Sequence, residues 1–139
     1  MPSRSRHWVF DLGADFGHAD MTGEARALVA DSGVTTGSLS LGVVGSTGGI
    51  TTIEYEPGAL SDLRSALEKA APRQGEYAHN ARWGDGNGFS HIRSSLLKTG
   101  IVIPVADGQL QLGTWQQIVV LNFDNKKRRR EVVGVVSGD

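Results

Sequence analysis

The sequence predicts one α+β domain with a mixed or antiparallel β-sheet core, two longer helices and one short helix. Three observations predict it. Short runs alternate apolar with polar or small residues, as in Ser38–Val44 (SLSLGVV) and Ile50–Tyr55 (ITTIEY). Two other segments, Met21–Ser32 and Ala59–Ala70, place their apolar residues at helical spacing. Finally, 139 residues suffice for one core but fall far below the roughly 250 of a (β/α)₈ barrel.

Each element follows in chain order. His7–Leu12 (HWVFDL), aromatic and β-branched, predicts a strand after a basic N-terminal tail of about residues 1–6. In Met21–Ser32, Ala25, Leu28 and Val29 share a face, Asp20 or Thr22 offers a cap, and Gly33 is the stop. The two alternating strands flank the turn-rich Gly45–Gly49 (GSTGG), so they are expected to pair as a hairpin. Leu60, Leu63, Ala66 and Leu67 form the stripe of the second helix, with Pro57 ahead of it and Pro72 after it. His91–Leu97 (HIRSSLL) predicts the short helix, capped by Ser90. From Ile101 the pattern is strands: Ile101–Val105, a turn at Asp107-Gly108, Gln109–Leu112, Thr114–Phe123 and Arg129–Val136, which together predict a β-meander.

Composition narrows the function. A net charge of −1 supplies no global field for nucleic acid or anionic lipid, so neither is an expected partner. No cysteine is present, which rules out thiolate metal sites and cysteine nucleophiles. No apolar run has the length of a secretory signal or a membrane span, and the cytoplasm is the expected address.

The densest chemistry lies in Glu76–His91 (EYAHNARWGDGNGFSH), which follows neither a helical nor a strand period and reads as a site loop. His79, His91 and Asp85 make a potential two-histidine, one-carboxylate metal set. Equally, the two histidines can act as hydrogen-bonding or acid–base groups, histidine being the side chain that changes charge near neutral pH. A helix opening at His91 leaves backbone N–H groups free, so an anion could sit beside Asn87, Gly88 and His91. Ser46 and Thr47 in the GSTGG turn could add hydroxyls to a phosphate nest, the plainer alternative being a tight turn. Trp115, followed by Gln116, reads either as a core anchor or as a flat wall for an aromatic ring. Glu54 and Glu56 share a strand face. In the Lys126–Arg130 run (KKRRR), otherwise a solvated turn, Arg128 and Arg130 could meet a phosphate from one face.

Taken together, several motifs are similar to those of the YjbQ-like family, also called the secondary thiamine-phosphate synthase family. They are ST-x-x-I-T-x-x-E (Ser46, Thr47, Ile50, Thr51, Glu54), YAHN (Tyr77–Asn80), DGN-x-x-SH (Asp85–Asn87, Ser90, His91), IPV-x-DG, LGTWQ (Leu112–Gln116) and FD…R-x-R. The resemblance spans about Val9 to Val136. It implies an α+β fold, a compact homotrimer and weak thiamine-phosphate synthase activity, the joining of a pyrimidine-methyl diphosphate to a thiazole phosphate. It places the site on His79, Asn87 and His91, with Asp85, Glu54, Ser46, Thr47, Trp115 and Gln116 nearby. In that chemistry Asp85 would hold Mg²⁺, Arg82 and Arg93 would bind phosphates beside the helix opening, and Trp115 would flank a ring. The sequence departs from the family where Gly45 and Phe89 stand, since relatives carry histidines there. A three-imidazole metal centre is weakened by those changes, while a set of His79, His91 and carboxylates survives. Two alternatives stand beside the transferase. One is a trimeric protein that binds a divalent metal (Mg or Zn) or a small phosphorylated metabolite without turnover, and the other is hydrolysis by a metal-activated water at His79 and His91.

Overall fold

The computed structural model describes residues 2–139. Its described residues form strands β1 (Ser3–Leu12), β2 (Gly17–Asp20), β3 (Gly37–Val44), β4 (Gly48–Ile53), β5 (Gly100–Ala106), β6 (Gln109–Leu110), β7 (Gln117–Asn122) and β8 (Arg128–Gly138). The helices are α1 (Thr22–Ser32), α2 (Pro57–Ala70), α3 (Ala78–Trp83) and α4 (Gly88–Leu97). The strands divide into a five-stranded sheet, β1-β8-β3-β5-β6, and a three-stranded sheet, β2-β7-β4. Every pairing is antiparallel. The fold is α+β. No helix among the described residues is long and apolar enough to cross a membrane.

Two apolar cores follow from the strand patterns. Ala25, Leu28 and Val29 of α1 pack with Leu39, Leu41, Val132 and Val136, the inward residues of the large sheet. Burying one such leucine stabilises the fold by about 1.5–3 kcal/mol. The second core sets Leu60 and Leu67 of α2 against Phe16, Val119, Leu121 and Phe123. Strand β7 serves both, with Ile118 and Val120 in the first core and Val119 and Leu121 in the second. Its central residues Ile118–Leu121 (IVVL) are therefore an unbroken apolar run, as a strand covered on both faces requires.

Caps fix the two long helices. Asp20 accepts hydrogen bonds from the Thr22 N–H (2.9 Å) and hydroxyl (2.6 Å), and α1 ends on Gly33 with φ 72°, a left-handed conformation suited to glycine. The carboxylate of Glu56 accepts from the Gly58 and Ala59 N–H groups, both at 2.7 Å. Those bonds, Ala59's first, hold the Glu56 carboxyl below its ordinary value.

Five expectations are corrected. Ser3–Arg6 are no tail: they extend β1 along β8, with Ser3 opposite Ser137 and Arg6 opposite Gly134. β3 and β4 do not form a hairpin. β3 pairs with β5 and β8, β4 with β7, and the GSTGG stretch is a corner carrying the chain from one sheet to the other. A Cβ at Gly48 would lie 3.1 Å from Arg130 Nε and from the Leu121 carbonyl oxygen, so a side chain in this corner would make its neighbours give way. The C-terminal strands are not a meander, because β7 belongs to the small sheet and β8 lies between β1 and β3 in the large one. Glu76–His91 is not one loop, since it contains α3 and the first turn of α4. Finally, α4 starts at Gly88 rather than at His91, with Asn87 as N-cap and Ser90 inside the helix.

The outer face of the large sheet carries no helix. Its cross-strand rows read Ser5, Val135, Ser40, Val102 and His7, Val133, Gly42, Gly100. Val9, Val44, Val102 and Val135 are exposed there. The ion pairs His7–Glu131 (3.0 Å) and Asp11–Arg129 (3.3 Å) lie towards one end.

On the inner face a Cβ at Gly134 would stand 2.7 Å from the Trp8 ring and 3.0 Å from a Leu41 methyl. Gly134→Val should therefore cost about 1–3 kcal/mol by overpacking, measured as a lowered midpoint in denaturant unfolding. An unchanged midpoint would contradict this packing.

Candidate functional site

Helices α3 and α4 are pinned together by local contacts, and that places the two histidines. A Cβ on Gly88 would fall 2.6 Å from Tyr77 Cβ, so only glycine lets the start of α4 approach the start of α3. Asn80 Oδ1 accepts the Gly88 N–H at 2.8 Å. His79 on α3 then meets His91 on α4, with ring centroids 4.5 Å apart and planes inclined at 45°. Asp85 Oδ1 lies 3.4 Å from His79 Nδ1. Among the described residues that buried nitrogen has no hydrogen-bond partner, while the same Asp85 oxygen accepts the Asn87 N–H at 3.1 Å.

Asn87 belongs to a buried network rather than to the space between the rings. Its amide nitrogen donates to Asp124 Oδ2 (3.2 Å), while its Oδ1 accepts from Ser90 Oγ (2.7 Å) and the Asn125 N–H (3.0 Å). Asp124 also receives the Thr47 hydroxyl (3.0 Å), the Lys126 N–H (3.0 Å) and Arg128 Nε (3.1 Å). Arg130 bonds Thr47 and Asn122 Oδ1. Burial pushes the Asp124 carboxyl up, but the bonds from Thr47, Asn87 and Lys126, with the Arg128 charge, outweigh it and hold the carboxyl below its ordinary value.

Other predicted residues are distributed more widely. Arg93 is buried: its Nε donates to the Ala71 carbonyl at 2.9 Å, an Nη pairs with Glu68, and the guanidinium covers the Phe89 ring at 4.9 Å. It fastens α4 to the end of α2. Arg82 stacks on Trp83. The expected anion position at the α4 start is filled, because Asn80 takes the Gly88 N–H. Ser46 lies at the exposed sheet-to-sheet corner beside Thr47. Glu54, Trp115 and Gln116 gather at the other end of β4, roughly 20 Å along the strand from Thr47. There Trp115 is 73% exposed beside Glu54 in a shallow cleft, and Gln116 hydrogen-bonds Thr52 at 3.1 Å. Trp115 is not a core anchor.

The arrangement joins His79, His91 and Asp85 in one cluster, and Thr47 and Asn87 in another beside it. Among the described residues no three His, Cys, Asp or Glu side chains are grouped to hold a metal ion. His79, His91 and Asp85 lie together without being so grouped, and the Asp124 oxygens are engaged by four protein donors.

Sequence reasoning missed Asp124 and the buried role of Arg130; the signal was FDN directly after the doubly covered β7. It also missed His18, whose Nδ1 lies 2.9 Å from the Tyr55 hydroxyl. Burial lowers its pKa. The pair walls a cavity of about 370 Å³ with Phe16, Leu60 and Arg64.

Residues 9–139 match the family described as UPF0047 protein YjbQ-like. The chain belongs to this YjbQ-like family. It is 37% identical over 116 residues to a UPF0047 protein of Methanothermobacter thermautotrophicus, covering 84% of this chain and 80% of the relative. Among solved structures, the YjbQ-like fold seen here is similar to a hypothetical protein of Aeropyrum pernix, with TM-score 0.89, 26% identity and coverage of 98% of this chain and 99% of the other. It is also similar to an uncharacterized conserved protein of the YjbQ/UPF0047 family from Clostridium acetobutylicum, with TM-score 0.85, 30% identity and coverage of 95% and 99%.

The network contributes to the acid stability of this YjbQ-like chain. Because the folded Asp124 carboxyl is held low, its contribution is complete above the ordinary carboxyl value and is lost as pH falls through the folded value. Asp124→Asn should cost about 3 kcal/mol at neutral pH, since an amide cannot accept all four donors. The variant should also lose less stability than wild type between pH 5 and pH 2, as read by urea unfolding across that range.

Proposed function

We propose that this chain acts on a small phosphorylated metabolite by proton transfer at His79 and His91, with Asp85 orienting His79. The observation that supports it is the contact of the two imidazoles, 4.5 Å between centroids, with a carboxylate 3.4 Å from one of them. A carboxylate beside Nδ1 favours the tautomer with its proton on that atom. The neighbouring ring is then a proton acceptor or donor towards a ligand.

Thiamine-phosphate synthase chemistry is the reaction proposed first. The thiazole nitrogen forms a C–N bond to the pyrimidine methylene as the C–O bond to diphosphate breaks, its electron pair departing on oxygen. An imidazolium can give that oxygen a proton. Mg²⁺ enters as the companion of the diphosphate. Steady-state assays of the purified chain with both substrates and Mg²⁺ should give turnover above background. His91→Ala or His79→Ala should lower kcat about 10²-fold or more with the circular dichroism spectrum retained. Rates equal to the protein-free background would reject the reading.

A second reading, binding without turnover, is favoured by the separation of Trp115 and Gln116 from the histidines. In native mass spectrometry it is supported by a stoichiometric metabolite or metal with no product.

We also propose a homotrimer that uses the bare outer face of the large sheet. A face of Ser, Gly, Val and Pro, with charges only towards one end, fits a partner's surface better than it fits water. The double variant Val102→Lys/Val135→Lys should shift the mass seen by light scattering from trimer to monomer. Retention of the wild-type mass would place the interface elsewhere.

A further inference from the structure

Arg130 is only 6% exposed, yet among the described residues no carboxylate forms an ion pair with it. Asp124, the acid of the same network, pairs with Arg128 instead at 3.1 Å. The Asp124 charge reaches Arg130 only through the shared Thr47 hydroxyl, without direct contact, so the buried guanidinium can still accept an anion of its own. Its Nε and one Nη bond Asn122 and Thr47. The other, Nη1, has no hydrogen-bond partner among the described residues and faces Gly45, where an added Cβ would stand 2.9 Å away.

Gly45 is also a wall of a polar cavity of about 360 Å³, shared with Ser46, Ser94, Ser95, Lys98 and Thr99. Ser94 is committed to the Gly48 carbonyl at 2.6 Å, leaving Ser46, Ser95 and Thr99 with hydroxyls to offer. Lys98 supplies a second cation that, among the described residues, is in no ion pair. Its backbone is held at φ 88°, ψ 156°, a region that favours glycine. Its N–H donates to the Ser94 carbonyl (2.9 Å) and its own carbonyl accepts from the Ile50 N–H (3.2 Å), so the position is locked at both ends. A strained lysine at the rim of a cavity, beside a buried arginine with one Nη unbonded among the described residues, fits an anion-binding role better than a packing one.

We propose that this cavity binds the phosphate group of the metabolite, held by Lys98, Arg130 and the Ser46 and Ser95 hydroxyls. The proposal deepens the acid–base reading and rests on it only in taking the ligand to be phosphorylated. His91, Ser95 and Lys98 stand at i, i+4 and i+7 along α4 and its C-cap, so phosphate and imidazole are separated by about 10 Å. That is the span of a phosphorylated ring compound.

Calorimetric titration of the full chain with inorganic phosphate at low ionic strength tests the site. Wild type should bind phosphate at millimolar concentrations or below, and Lys98→Gly should weaken Kd about tenfold or more. The same variant should melt at an equal or higher temperature, because glycine suits the backbone there. Ser46→Ala should weaken binding by a smaller factor, and His91→Ala should leave phosphate affinity unchanged while lowering turnover as stated above. Absence of phosphate binding by wild type, or equal affinity in Lys98→Gly, overturns the proposal. Phosphate binding retained in a chain without turnover would instead overturn the acid–base reading and leave this site standing.

Discussion

Asp124 takes hydrogen bonds from the corner between the two sheets through Thr47, from the start of α4 through Asn87, and from its own turn through Lys126 and Arg128. Removing a carboxylate from water is unfavourable by several kcal/mol, and a single bond would not offset it. Four donors do, which is why the charged form persists. The same bonds fix the relative position of three stretches that share no secondary structure. Asn125 reinforces them by donating to the Asp85 carbonyl at 2.8 Å. The Asp85 turn is thereby tied to the β7–β8 connection, and the carboxylate that faces His79 inherits that rigidity.

Held in this way, the histidine pair sits over a stiff base while its own surroundings stay open. His79 and His91 are half-buried, and the ring contact comes from α3 and α4 meeting through Tyr77, Asn80 and Gly88. Glu54 and Trp115, at the far end of β4, share a cleft with Tyr55 and Glu56. The histidine cluster and the Trp115 cleft thus lie at opposite ends of one strand. The proposed phosphate cavity belongs to the histidine end, since Gly45 and Lys98 border it.

What was legible in the sequence is what local chemistry decides. The α1 and α2 stripes, the Asp20 side chain at the start of α1 and the Asp107-Gly108 turn needed no knowledge of the rest of the chain, whereas Glu56, read as a strand residue, caps α2; both turn residues have positive φ, 53° and 74°. Strand partners were less legible, because GSTGG is as good a turn as it is a corner. Gly48 and Gly49 are there because Arg130, Leu121 and Phe123 come within about 3.1 Å of where their side chains would be. The six residues of α3 carry no side-chain cap and no apolar period, so only packing makes them helical. Asn87 and Arg93 illustrate the limit for sites. A polar residue in a glycine-rich stretch reads the same whether it faces a ligand or, as here, Asp124 and Glu68.

Strand β8 lies between β1 and β3 in the large sheet, although it is the last element of the chain. During synthesis the first strand therefore waits for the final one, with its partner edge unpaired and the Arg130 end of the polar network unbuilt. Contacts of such wide sequence separation slow folding, since loop-closure entropy is lost before they form. The nascent chain is thus exposed to misassociation until the histidine end acquires its foundation.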